Sequence, residues 1–390
     1  MHIMAFPRNL TIVAAVAAAI ALSGCGMTSW FSSATPKPAL PAVGGGASIV
    51  TAWTVQLGGK LDVPLQATAV DGKVYAAHAD GSLFAIDEKT GAVLSRFSLP
   101  AGSGRISGGV AANGAMVVVS SNKAEVFAFD TSGKSLWKSK IPAEAIAPAA
   151  ISDNVVIIVS VDGNVVGLDA KDGSRKWIIQ RQTPALTVRA SAVPVVTRGG
   201  VFLGTSTGRL LAFDSVTGAI GWEATVANPK GASELERLID VVGRPAIDAQ
   251  RACAAAFQGR AACFDILRGT PLWSRDVSTL TGALLDNRHV YVTDEKGTVF
   301  AYDRATGGTV WKQDVLSQRL ATGVALIGDF YGVHDVEGNL SLVDRSSGKI
   351  AARGLGSSFI AASPLTQGSE GTGGAMLVTK SGQLVYLRAQ

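Results

Sequence analysis

Three features of this sequence predict an all-β fold, an eight-bladed β-propeller of four-stranded antiparallel blades. The first is a repeat. Gly81, Asp87 and Gly91 recur as Gly163, Asp169, Gly173 with Trp177, as Gly208, Asp214, Gly218 with Trp222, as Gly259, Asp265, Gly269 with Trp273, as Gly297, Asp303, Gly307 with Trp311, and as Gly338, Asp344 and Gly348. Asp130, Gly133 and Trp137 form a variant with a shorter turn and no leading Gly. The second is a β-branched run ahead of each unit, such as 117–119 and 155–159, which reads as a buried strand. The third is a pair of incomplete copies at the two ends of the repeat array. The copy at 375–388 has Arg388 at the Asp position and stops there, while residues 51–57 supply a Trp-bearing strand with no unit of their own.

Each element has a local reason. The leading Gly closes a short hairpin between the second and third strands. The third strand ends in Asp, whose carboxylate can take backbone N–H groups of the next turn. The Gly four residues on suits a positive φ. The Trp then falls in the fourth strand, where a large ring packs between neighbouring sheets. The period fits one propeller blade, since the seven Asp residues 87, 130, 169, 214, 265, 303 and 344 are spaced by 38 to 51. Pairing the strand at 51–57 with the last copy closes the ring and leaves no free edge there. Seven blades with a loose terminal hairpin is the alternative.

Ahead of the repeat lies an export signal. Arg8 is a basic n-region, and residues 10–22 form an apolar stretch too short to span a bilayer comfortably. Leu22-Ser23-Gly24-Cys25 resembles the bacterial lipobox, in which the Cys is diacylated, the peptide before it is removed and the new N-terminus is acylated. This divides the chain into a signal peptide (1–24), a lipidated Cys25 with a Ser-, Pro- and Gly-rich tether (25–48) and the propeller (49–390). Inner-membrane lipoproteins often carry Asp after the Cys, so Gly26 implies the outer membrane.

Composition and motifs argue against several functions. The chain is 47% hydrophobic and 17% charged, which is a globular balance. Its net charge of +5 is scattered, without a basic run to follow a phosphate backbone, so no nucleic-acid partner is expected. His2, His78, His289 and His334 show no metal-ligand spacing, and no nucleophile elbow or phosphate loop occurs. The Asp recurs in every blade, whereas a catalytic group is needed once, so it reads as a turn cap. No catalytic, cofactor or metal residue is expected. Cys253 and Cys263 flank a hairpin turn and should be cross-strand neighbours, either as a disulfide or as two buried thiols.

Two segments break the repeat and are the places to look for binding. Residues 180–189 lengthen the connection after Trp177, and residues 226–240 follow Trp222, with 233–238 reading as a Ser-capped helical turn. Lipobox, tether, eight-blade ring and these loops together resemble the BamB family of outer-membrane assembly lipoproteins, over essentially the whole chain. The repeat alone also resembles pyrroloquinoline-quinone (PQQ) dehydrogenases. The family's Leu-x-Leu-Arg segment is matched by Leu186, Val188 and Arg189, and its Arg-Leu-x-Asp-x-Asp segment by Arg237 and Asp240, with Val242 in place of the final Asp. The resemblance implies a non-enzymatic scaffold at the periplasmic face of the outer membrane. It implies BamA as partner, bound through its periplasmic POTRA domains, and unfolded outer-membrane proteins as further contacts. The competing readings are a PQQ-dependent dehydrogenase, for which the adjacent Cys pair is missing, and a propeller lipoprotein with another periplasmic partner.

Overall fold

The computed structural model describes residues 46–63, 65–152, 154–188, 192–354 and 374–390, with Leu40 and Val43. The described residues fold into thirty-one β-strands in eight sheets. Seven sheets have four antiparallel strands in chain order, one per repeat: blades 1 to 7 span 68–98, 111–140, 150–179, 195–225, 241–276, 283–313 and 322–354. Blade 8 joins the two ends of the chain. Ile49–Gln56 pairs with Gln383–Ala389, which pairs with Gly374–Val378. Beyond the strand ends, Ser48 and Gln390 exchange backbone hydrogen bonds of 2.7 and 3.0 Å. The first strand of each blade is innermost, and inner strands of neighbouring blades meet around the axis.

The repeated residues form the seams between blades. Each of six Trp indoles donates its N–H to the carbonyl just after the repeat Asp of the next blade, at 2.9–3.2 Å. The ring lies over the next blade's turn Gly. Gly269, for example, has φ +68°, and a Cβ there would stand 2.6 Å from the Trp222 ring. Gly is therefore required twice over, by its backbone conformation and by the indole above it. Trp53 makes the same bond from blade 8 to Glu88 of blade 1, so the closing strand is locked by the seam chemistry used elsewhere.

The Asp residues cap their turns. Asp87, Asp214 and Asp303 accept the hydroxyls of Thr90, Thr217 and Thr306 at 2.7–2.8 Å, and the N–H groups of the same residues at 2.7–2.8 Å. These bonds hold the three carboxyls below their ordinary pKa. Blade 5 departs from its neighbours in one detail. The positive φ falls on Gln258 (48°), not on the leading Gly259, which packs against Ala227 and Ala256. The apolar residues fill the seams as a series of clusters, matching runs such as Val155–Val159 that are buried almost throughout.

Two ion-pair networks reinforce the seams between blades 5, 6 and 7. Asp248 of blade 5 meets Arg251 at 3.2 Å and Arg304 of blade 6 at 3.3 Å. Asp286 of blade 6 meets Arg345 of blade 7 at 3.0 Å and accepts the Tyr291 hydroxyl at 2.8 Å. His289 joins the second network through Tyr291 at 3.1 Å, which gives this His a structural role. Cys253 and Cys263 are directly paired residues of adjacent strands, with Cα atoms 4.0 Å apart, and are joined by a disulfide.

The segment read as tether does not remain free up to residue 48. Leu40 is half-buried against the cluster that holds Leu284, Trp311 and Ile350, and Ala47 packs with Ile49 beside blade 7. An apolar side chain in a Pro- and Gly-rich stretch covers part of a blade seam here. Cys25 and the rest of residues 1–39 lie outside the described residues.

Candidate partner-binding site

The two loops that break the repeat lie side by side, because they leave the outer strands of adjacent blades and lead into the next inner strands. The first starts with Arg181, whose guanidinium makes a two-pronged bond with Glu223 of blade 4 at 2.9 and 3.1 Å. It ends at Val193, whose N–H reaches Gly243 O at 3.1 Å. The second is shaped by a reciprocal cap. Ser233 Oγ accepts the Glu236 N–H at 3.3 Å, and the Glu236 carboxylate accepts the N–H groups of Ala232 and Ser233 at 2.8 and 3.1 Å. The capped turn expected from the sequence therefore forms, as turns too short to make an α-helix.

Between these loops and the hairpins of blades 3 and 4 is a cavity of about 110 Å³, walled by Ile146, Val161, Thr183, Val188, Thr205 and Asp240. Its lining is mostly apolar, and Asp240 is its one carboxylate. Asp240 is 4% exposed. The Val188 backbone N–H bonds to its carboxylate, while Oδ1 has no partner among the described residues. Burial pushes the carboxyl up to about 6, and the Val188 N–H offsets only part of this. A buried acceptor left open is costly in the free protein, and a donor brought by a partner removes that cost.

The structure brings some of the predicted residues together and not others. Val188 and Asp240 meet at the cavity. Leu186 is 48% exposed on the first loop, and Arg237 is exposed on the second. Arg189 lies outside the described residues. Val242 is buried and pairs with Ala255 in blade 5, so the position where the family has its second Asp belongs to the core here. Three contributors were not read from the sequence: Leu235, 65% exposed beside Arg237, and Val161 and Thr205 in the hairpins. Those hairpin positions are occupied in every blade. Only their place beside the long loops distinguishes them.

The fold and site define an eight-bladed propeller whose repeat builds the scaffold and whose irregular loops present a surface. Among solved structures, the chain resembles BamB from Moraxella catarrhalis, with a TM-score of 0.77 and 23% identity, covering 87% of this chain and 99% of that one. It also resembles a quinohemoprotein alcohol dehydrogenase from Comamonas testosteroni, with a TM-score of 0.66 and 13% identity over 87% and 76%, a likeness of fold alone. A family model described as outer membrane protein assembly factor BamB matches residues 79–313. The Bordetella pertussis BamB is 37% identical over 372 residues, 95% of each chain, and the Vibrio cholerae BamB is 33% identical over 388 residues, 98% of each. The chain belongs to the BamB family of outer membrane protein assembly factors.

Proposed function

We propose that this chain is a non-enzymatic scaffold of the β-barrel assembly machinery, lipid-anchored through Cys25 at the periplasmic face of the outer membrane. In this reading it binds the POTRA domains of BamA through the face formed by the two long loops. The observation that carries the reading is the open Oδ1 of buried Asp240 in an apolar cavity. It is ready to accept an N–H or a cation from a partner, with exposed Leu186 and Leu235 as apolar contacts around it. Arg237, exposed on the second loop, adds a multidentate donor. Family membership supplies the assembly role. Unfolded outer-membrane proteins are further contacts in this scheme.

Purification of the tagged, membrane-extracted protein in mild detergent tests this. BamA should co-purify with the wild type, and Asp240→Ala should reduce its recovery several-fold. Failure to recover BamA, together with quinone-dependent dye reduction by the purified protein, would overturn the scaffold reading.

A further inference from the structure

The innermost strands of blades 1 to 7, from Thr68–Val70 to Thr322–Ile327, enclose the axis of the propeller, and among them Arg244 is the one charged residue. It lies in Val241–Ile247, where Val242, Gly243 and Pro245 are buried and Arg244 is exposed. Arg244 is thus an exposed residue on a strand that borders the axial channel.

The backbone that presents it is firmly held. The strand bulges between Val242 and Ala246, and Arg244 bridges to Gly282 of blade 6. Gly243 (φ +71°) and Gly282 (φ +84°) pass so closely that a Cβ on either would stand 2.3 Å from Thr281 O or 2.7 Å from Val242 O. On the other side, the Val193 N–H holds Gly243 O at 3.1 Å. Three successive blade connections thus fix the point from which the guanidinium projects.

Among the described residues that guanidinium has no counter-ion. No hydrogen bond or ion pair ties it to any described residue, although other arginines near the blade seams, such as Arg304, Arg319 and Arg345, have carboxylate partners. Desolvation by surrounding protein disfavours its charged form, and no carboxylate offsets this. Guanidinium does not give up its proton, so a permanent positive charge stands open to an anion there. The inner strands of blades 1 to 4, 6 and 7 are neutral, so an anion meets no repulsion from them. The planar fork of Arg matches the two oxygens of a carboxylate or phosphate.

We propose that the axial channel is an oxyanion-binding site, with Arg244 as the residue that holds a carboxylate or phosphate group. The site is separate from the loop face proposed to bind BamA, and its test does not depend on that reading.

Inorganic phosphate and citrate, each titrated at constant ionic strength against chloride, are the probes. Calorimetry on the whole mature protein should detect binding of at least one of them, and the tighter binder identifies the oxyanion. Arg244→Gln should weaken that binding at least tenfold. Arg244→Lys, which keeps the charge and loses the fork, should fall between. Should Arg244→Gln not fold, the Arg244 side-chain Nε–H resonance of the wild type should shift with the bound oxyanion and not with chloride. Equal affinity in wild type and Arg244→Gln, an unshifted Nε–H resonance, or no binding of either probe to the wild type at 20-fold molar excess over a millimolar Kd, about 20 mM, overturns the proposal.

Discussion

At Asp240, folding and the proposed binding role make opposite demands on one carboxyl. Burial raises its pKa from 3.8 to about 6, so the folded state holds the proton more tightly than the unfolded chain does. The stability this group contributes is therefore full below about pH 4 and is lost as pH rises through about 6. The loss at neutral pH is on the order of 3 kcal/mol. Asp240→Asn should accordingly melt higher than wild type at pH 7.5, with the difference vanishing towards pH 4. A lower melting temperature for the variant at pH 7.5 would contradict the assignment of an uncompensated buried carboxylate. Trp273 shows the contrasting case, a residue used only for structure. It is 7% exposed and bonds to Arg304 O at 3.0 Å across a seam. Trp273→Ala should destabilise the fold by about 3–5 kcal/mol in denaturant titration, as expected for a buried aromatic truncation. The roles of the repeat Asp, Gly and Trp were legible because the same spacing recurs in blade after blade. The burial of Asp240 was not legible, because the walls that bury it come from hairpins far apart in sequence.

Among the elements, the strands and tight turns followed directly from pattern. β-Branched runs, an Asp cap and a turn Gly are local signals, and local chemistry decides them. The irregular connections were legible only as departures from the repeat. Their sequence revealed the Ser233–Glu236 cap, since both partners sit within one turn. It did not reveal the Arg181–Glu223 bond, whose partners are 42 residues apart. Likewise, Val242 occupies a position where family likeness suggests a contact, and the strand register turns it into the core. Spacing placed Cys253 and Cys263 opposite each other and left their oxidation open. Their disulfide closes a loop with a sequence separation of 10 in strands that already pair. The double variant Cys253→Ala, Cys263→Ala should fold normally and lose no more than about 3 kcal/mol, the chain-entropy limit for so short a loop. Reductant should lower the wild-type melting temperature to that of the variant. A larger loss would mean that the pair does more than staple one hairpin.

For the whole molecule, closure of the ring is the decisive feature. Ile49–Gln56 supplies the outer strand of blade 8, and Trp53 then bonds to Glu88 of blade 1 at 3.0 Å. The Trp-bearing strand at the start of the repeat and the truncated copy at its end made this closure legible, because neither is a complete blade alone. Deleting residues 49–56 should expose the edge of Gln383–Ala389 and leave blade 1 without its seam. The mature protein so shortened should lose its single cooperative melting transition and should aggregate. A sharp transition close to that of the wild type would show that the ring does not depend on this strand. What the repeat cannot encode is which part of so symmetric a ring meets a partner. In the proposed function that part is where the symmetry fails, at the paired long loops of blades 3 and 4 and the cavity beside them.

In the proposed function this loop face, with Asp240 at its floor, holds BamA. Isothermal titration of the soluble propeller with the BamA POTRA domains at pH 7.5 tests it most directly. Asp240→Asn should bind at least tenfold more weakly than wild type while folding at least as stably. Unchanged affinity in that variant, with its fold intact, would contradict it.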